Sequence, residues 1–205
     1  MKLYIRPGAC SLASHISLIE AGLRFETETV STKDGGAKLT AKGTNFLTLN
    51  AKGYVPALET QTGEILTEGQ AILQYIADRA PEKGLAPAHG TFERYKLQEW
   101  LTFIGTELHK GVTPLWYPAT SESYRATVLD NVSKRLDWVS SQLQGRPFLM
   151  GQTFTVADAY LFTVLSWNKM LNLDLTKWPT LMGYMERVQN RPAVHQALKS
   201  EGLLK

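Results

Sequence analysis

A single cysteine, Cys10, supplies all the thiol chemistry of this 205-residue chain. One thiol excludes an internal disulfide, a Cys-x-x-Cys redox pair and a multi-cysteine zinc site. The four histidines are scattered without metal-ligand spacing, so no metal is expected. No apolar run approaches the roughly 18 residues of a membrane span. The N-terminus passes from Met1-Lys2 straight into strand-like residues without a signal-type apolar core, so a cytoplasmic protein that does not bind membranes is expected. Charge of one sign is lacking as well: 22 Lys and Arg oppose 19 Asp and Glu, for a net charge of +3. The basic residues lie among acidic ones, and without a basic stripe nucleic acid is not an expected partner.

What remains is an ordinary globular composition, 43% hydrophobic, in a chain long enough for one large domain or two small ones. Lys2 to Arg6 reads as a strand stopped by Pro7-Gly8. Leu12, Ile16, Ile19 and Leu23 recur at helical spacing, with Gly22 near the end, and Phe25 to Val30 alternates as a second strand. The resulting βαβ unit has parallel strands by right-handed crossover. Residues 31 to 48 are polar, with a short helix expected around Phe46. Ala57 to Thr60 and Glu64 to Thr67 form a hairpin, followed by a helix from Glu68 to Asp78. The order βαβ then ββα resembles the thioredoxin-like arrangement, a mixed sheet with helices on both faces.

Residues 80 to 90 hold Pro81, Gly84, Pro87 and Gly90 and read as a linker. Everything beyond is helical: Phe92 to Lys110, Ser123 to Leu143, Val156 to Met170, Thr180 to Gln189 and Ala193 to Lys199. The expected division is therefore 1–79, a linker at 80–90, and an all-α domain at 91–205. Thr155 and Asp158 have the spacing of a reciprocal N-cap, and the helix they open is apolar almost all round, as the centre of a domain should be.

The stretch Leu49 to Ile72 carries the strongest functional signal. Gly53 permits an unusual backbone angle, and Pro56 has no N–H to give a ladder, so the N–H and C=O of Val55 are expected to be unpaired and open to an extended peptide. Thr67-Glu68-Gly69 then opens a helix whose free N–H groups suit a carboxylate. A small peptide with free carboxylates is the ligand this pattern favours.

Cys10 follows Pro7-Gly8 at a helix start, where the thiolate is favoured. A free cysteine is otherwise commonly a small buried apolar residue. Glu68 at a helix start and His109-Lys110 at a helix end also complement helix dipoles whether or not a ligand binds.

The order of these pieces resembles the cytosolic glutathione transferases, and in detail the bacterial beta class. The matching residues are Lys2-Leu3-Tyr4, Pro7 to Leu12, Gly53 to Pro56, Leu66 to Gly69, Glu107 to Gly111, Phe154 to Phe162 and Arg191-Pro192. The resemblance covers the whole chain and implies the glutathione transferase fold, a thioredoxin-like domain followed by an all-helical one. It implies a homodimer that conjugates glutathione, as co-substrate, to apolar electrophiles.

The implied glutathione-binding set is Ala9, Cys10, Tyr54, Val55, Pro56, Glu68, Gly69, Thr102, Glu107, His109 and Lys110, with Cys10 and His109 catalytic. In the family the matching Glu68 takes the γ-glutamyl amino group and the Gly69 N–H meets its carboxylate. His109 hydrogen-bonds the sulfur, and Lys110 meets the glycyl carboxylate or raises the local potential. Lys33 and Lys38 are equal candidates for a further contact.

Two positions depart from the class, which commonly has Gln at Tyr54 and Asn at Thr102. The first alters the grip on the cysteinyl-glycine end, and the second bears on a bond across the dimer. No early Tyr or Ser is placed as the thiolate-activating hydroxyl of other classes, although Ser11 adjoins the sulfur. Trp100, Phe103, Trp116, Tyr117 and Trp167 are core by default, with Trp116 or Tyr117 a candidate lining for an apolar co-substrate. Two other readings are a glutathione-dependent thiol-disulfide oxidoreductase or peroxidase using Cys10, and a non-catalytic carrier or assembly module. Retention of the peptide-binding residues disfavours the module.

Overall fold

The computed structural model describes residues 1–32 and 36–204. It divides into two compact units, Met1–Ala86 with Arg191–Lys205, and Pro87–Asn190.

In the first unit, β1 (Lys2–Ile5) alternates, sending Leu3 and Ile5 to one face and Tyr4 to the other. Pro7 and Gly8 turn the chain into α1 (Ser11–Glu20), whose Leu12 and Ile16 are fully buried. Gly22, at φ 66, takes the left-handed conformation just past the helix, as a helix stop requires. β2 (Glu26–Thr32) returns parallel to β1, completing the expected βαβ unit. β3 (Lys38–Thr40) then pairs antiparallel with β2. A 3-10 turn at Phe46–Thr48 brings Phe46 into a cluster with Tyr4, Val30 and Ala57.

β4 (Ala57–Glu59) lies antiparallel to β1, with Leu58 opposite Leu3, and β5 (Ile65–Thr67) closes the hairpin before α2 (Gly69–Asp78). The sheet order is β3-β2-β1-β4-β5. The βαβ and ββα halves stand as expected, and β3 is additional. Its three residues bury only Thr40, so no alternation marks it in the sequence.

The second unit is helical. α3 (Phe92–Phe103) passes without interruption into a π-helical turn, Ile104–His109, where a single α-helix to Lys110 was expected. α4 (Glu122–Gln142) buries Val128, Val132, Leu136 and Val139, the stripe predicted by its spacing. α5 (Val156–Leu165) is buried at all ten positions and ends five residues before the predicted Met170. α6 (Pro179–Gln189) follows. Among the described residues no helix is long and apolar enough to cross a membrane.

The C-terminal segment corrects the expected division. Residues 191–205 were placed with the helical domain, but α7 (Pro192–Ser200) packs on α1 and belongs to the first unit. Two sets of polar contacts hold it there. Arg191 Nε and Nη2 donate to the two carboxylate oxygens of Glu20, at 2.6 and 3.0 Å, a bidentate pair at the end of α1. Glu201, just past α7, accepts at 2.8 Å from His15 Nδ1 with one oxygen and at 2.8 Å from the Gly8 N–H with the other. The turn that leads to Cys10 is thereby tied to the far end of the chain. These groups are nearly 200 residues apart in sequence, and hydrophobic periodicity carries no information about such a return.

The start of α5 shows how a buried charge is accommodated. Asp158 accepts from the Thr155 N–H at 2.9 Å, the Thr155 hydroxyl at 3.0 Å, the Leu149 N–H at 2.9 Å and the Tyr184 hydroxyl at 3.2 Å. The capping box anticipated from Thr155 and Asp158 is formed. Burial pushes the Asp158 carboxyl up to about 6, with the hydrogen bonds opposing that rise. Asp158→Ala strips the Leu149 N–H, the Thr155 N–H and the Thr155 hydroxyl of this acceptor in a closed site, while the Tyr184 hydroxyl keeps the Asp158 backbone carbonyl at 3.2 Å, and a cost of about 3–5 kcal/mol is expected. Urea unfolding should show a large fall in midpoint, whereas a midpoint within the error of the native protein would remove Asp158 from the structural core of the unit.

Candidate functional site

The first unit gathers the predicted peptide-binding residues around the start of β4. Asn50 is buried and organises the approach: its side-chain amide donates to the Tyr54 carbonyl at 2.7 Å, and its carbonyl accepts from the Gly53 N–H at 2.8 Å. Gly53 closes this turn at φ 70. That positive φ is what calls for glycine; a Cβ there would also crowd the ends of the Leu47 and Lys38 side chains, at 3.0 Å from Leu47 Cδ2 and Lys38 Nζ. The Val55-Pro56 bond is cis. The β4–β1 ladder begins at Ala57, beyond the proline, and leaves Val55 at the open end of the strand.

One part of the expectation for Val55 is corrected. Its carbonyl is not unpaired, because the Cys10 thiol donates to it at 3.2 Å. Cys10 occupies the N-cap of α1, and this contact joins the sulfur directly to the peptide edge. Cys10 is in no disulfide and is partly exposed. Ser11 is settled differently: fully buried, its hydroxyl donates to the Arg6 carbonyl at 3.2 Å and accepts from the Arg6 N–H at 3.1 Å. Both contacts tie the loop before α1 to the helix start. Ala9, partly exposed, donates its N–H to the Arg6 carbonyl in the same turn.

Glu68 is the N-cap of α2 at φ 69 and ψ 113, a left-handed conformation for a residue with a side chain. Such geometry costs on the order of 1–3 kcal/mol and persists where its surroundings enforce it, typically at ligand sites. The exposed Glu68 side chain makes no cap hydrogen bond, and it directly precedes the first N–H groups of α2, which have no intrahelical acceptor. Gly69 follows, close to the buried Pro56 ring: a Cβ on it would meet Pro56 Cγ at 3.8 Å. An acid and a cluster of N–H donors side by side match a zwitterionic amino-acid head.

Lys52 is the member of this group that sequence reasoning missed. Its ammonium pairs with Glu68 and donates to the Thr67 hydroxyl at 2.9 Å. Lys38 donates to the Gly53 carbonyl at 2.7 Å and stands 5.3 Å from the centre of the Tyr54 ring, in cation–π range. Of the two lysines considered equivalent from sequence, Lys38 thus lies at the Gly53-Tyr54 turn, and Lys33 lies outside the described residues. Tyr54 itself is exposed.

In the second unit the π turn carries Glu107 and His109. The Lys110 N–H bonds to the Gly105 carbonyl at 3.0 Å, an i to i−5 contact. Gly111 allows the turn to close, since a Cβ there would fall 2.2 Å from the Glu107 carbonyl oxygen. Turns of this kind occur often at functional sites, and no residue pattern announces them.

His109 is half-buried, with Nδ1 2.7 Å from the Tyr160 hydroxyl and its ring edge-on to Trp167 at 5.1 Å. Burial, reinforced by the neighbouring charge of Lys110, lowers the imidazole to about 4, so it is neutral at physiological pH. Trp167 in turn meets Trp116 at 5.9 Å, which makes an aromatic wall beside the histidine. Trp167 and Trp100 are buried as core residues should be, while Trp116 and Tyr117 are exposed.

The other predicted residues of this unit are less committed to a site. Glu107 accepts from Arg135 Nε at 2.7 Å and, with Lys110, lines a cleft of about 320 Å³ between the π turn and α4. Thr102 is exposed, and its carbonyl accepts from the Thr106 hydroxyl at 3.0 Å. Among the described residues no cluster of His, Cys, Asp or Glu is suited to a metal ion.

Comparison with known proteins agrees with both units. The family model for the glutathione S-transferase N-terminal domain matches residues 8–79, and that for the C-terminal domain matches residues 94–192. Glutathione S-transferase GstA of Escherichia coli O157:H7 is 46% identical over 203 residues, 99% of this chain and 100% of its own. A sphingomonad glutathione S-transferase solved in complex with glutathione is 46% identical and superposes with a TM-score of 0.94 over 100% of both chains. The bacterial beta class enzyme of Sphingomonas chungbukensis is 43% identical, with a TM-score of 0.93 over 100% of both chains.

Proposed function

Because the chain belongs to the glutathione S-transferase family and is of the bacterial beta-class type, we propose that the groups around Val55, Cys10 and Glu68 hold its co-substrate glutathione. The reaction is transfer of glutathione, through its sulfur, to an electrophilic alkyl or aryl group. The carbon–sulfur bond forms from the thiolate lone pair, and the leaving group departs with its own electron pair or, in an addition, stays attached. The observation that carries the assignment of the site is the adjacency of the open strand end at Val55 to the strained Glu68-Gly69 helix start.

In this reading the peptide backbone of glutathione bonds to Val55 as an added strand, exchanging the Cys10 contact for its own N–H. Glu68 takes the γ-glutamyl ammonium in place of Lys52, and the Gly69 N–H takes the adjoining carboxylate. Ala9, Tyr54 and Pro56 shape the surroundings of the cysteinyl-glycine part. His109 stabilises the sulfur, Lys110 raises the potential around it, and Thr102 and Glu107 complete the glutathione set. The wall of His109, Trp167 and Trp116 supports an apolar electrophile. A cytoplasmic location is part of the same proposal, on the strength of the family alone.

Loss of one charge-assisted hydrogen bond costs about 1.5–3 kcal/mol, so Glu68→Ala should weaken glutathione binding by roughly 10- to 150-fold. The residue is exposed, so the fold should be retained, and calorimetry showing native affinity in the folded variant would relocate the γ-glutamyl end.

Cys10→Ala distinguishes conjugation from disulfide chemistry. With transfer from the thiolate of bound glutathione, the variant should keep a substantial part of its activity toward an activated aryl halide. Loss of that activity together with disulfide reductase activity, while glutathione still binds, would establish Cys10 as a covalent intermediate and favour the oxidoreductase.

A homodimer is proposed on the exposed aromatics of the helical unit. Phe92 and Tyr95 are 73% and 60% exposed one turn apart on α3, and Trp138 on α4 is 40% exposed. Large aromatic rings in water at this density mark an association surface. Light scattering at micromolar protein should give twice the 22.9 kDa chain mass. A value of one chain mass in an active preparation would exclude a dimer from the mechanism.

A further inference from the structure

The contact between Tyr160 and His109 decides what kind of group the histidine is. A neutral imidazole carries one hydrogen, on either Nδ1 or Nε2, and the partner of one nitrogen fixes the character of the other. We propose that Tyr160 donates its phenolic hydrogen to His109 Nδ1, which makes Tyr160 a positioning residue that holds His109 in the tautomer with hydrogen on Nε2.

Three observations support this direction. The separation of 2.7 Å lies in the range of hydroxyl donors and is short for a ring N–H donating to a neutral oxygen. A phenol oxygen shares its lone pair with its ring and accepts poorly, whereas an imidazole nitrogen is a good base; the exchange therefore favours O–H···N. The hydroxyl is also fixed in place, because Tyr160 is only 6% exposed on a helix buried along its whole length and anchored by the Thr155–Asp158 cap. The two rings meet edge to face at 5.9 Å, which sets their mutual orientation.

The consequence for the reaction rests on the reading under Proposed function that His109 acts on the glutathione sulfur. With Nε2 carrying hydrogen, the ring is a donor to a thiolate and not a base for a thiol. Glutathione then loses its thiol proton to solvent water, and His109 stabilises the anion by one N–H···S hydrogen bond without changing its own protonation through the cycle. A ring that is neutral at physiological pH for reasons of burial is consistent with that role. Tyr160 would thus set the chemistry through a hydrogen atom that never reaches the substrate.

The test is nitrogen NMR of the full-length protein with labelled histidine at pH 7, the His109 signals being identified by their loss in His109→Ala. Nδ1 is expected at the shift of a hydrogen-bonded bare nitrogen and Nε2 at that of an N–H. In Tyr160→Phe, which keeps the buried ring, the two tautomers should mix, and kcat for an activated aryl halide should fall about tenfold with the KM for glutathione unchanged. The same substitution in a His109→Ala background should have no further effect on kcat. Hydrogen on Nδ1 in the native protein would overturn the proposal, as would an unaltered ring spectrum in a Tyr160→Phe variant with native melting temperature. If His109→Ala keeps full turnover while the native tautomer is as stated, the hold of Tyr160 stands and the role of His109 in conjugation fails.

Discussion

A strand that must begin one residue late is the constraint on which the open edge of the first unit depends. Pro56 has no N–H, so Val55 stays outside the ladder and ends as a peptide group with no strand partner. Its carbonyl takes a weak donor, the Cys10 thiol. A thiol hydrogen bond is readily exchanged for a peptide N–H, so the contact holds the edge without blocking it. The same geometry sets the Cys10 sulfur against the open strand end at Val55.

Around this edge, the structure spends stability on geometry. Glu68 keeps a left-handed backbone, and Asn50 is buried to hold a turn. The α1 start is secured from outside its own sequence neighbourhood: Glu201 fixes the Gly8 N–H and His15, while Arg191 grips Glu20 one helix length away. Two polar ties spaced along α1 restrain both its tilt and its rotation, and Cys10 at its cap is placed accordingly. A buried carboxylate contributes little net stability, but losing one partner leaves the others unsatisfied, so the arrangement is specific even where it is not strongly stabilising.

Much of this was legible in the residues because it is local. One-sided burial writes itself as helical spacing in Leu12 and Ile16 or in Val128, Val132 and Leu136, and caps write themselves as Thr155 with Asp158. Val55-Pro56 and Glu68-Gly69 were legible for the same reason, since a missing N–H and a helix start are properties of a few consecutive residues. The rest was not. β3 buries one side chain and has no pattern, and the π turn at Ile104–His109 depends on how a helix end is accommodated and not on composition. Lys52 reaches Glu68 across 16 residues, Tyr160 reaches His109 across 51, and Glu201 reaches His15 across 186. Such pairs come together only when the chain folds, and placing α7 with the helical domain was the error that follows from reading contiguous helices as one body.

The second unit holds a histidine, His109, that does not titrate near neutral pH. Left exposed, an imidazole changes charge close to its ordinary value of about 6.5, and its hydrogen bonding then varies with conditions. Packing it against Trp167 and placing Lys110 next to it both disfavour the cation, so the ring is neutral well below that value. Neutrality alone leaves the hydrogen free to sit on either nitrogen. A hydroxyl fixed by a buried helix removes that freedom at the expense of only one oxygen atom, and this explains why the aromatic ring facing His109 on α5 is a tyrosine: phenylalanine would pack as well but would leave the ring's tautomer undetermined.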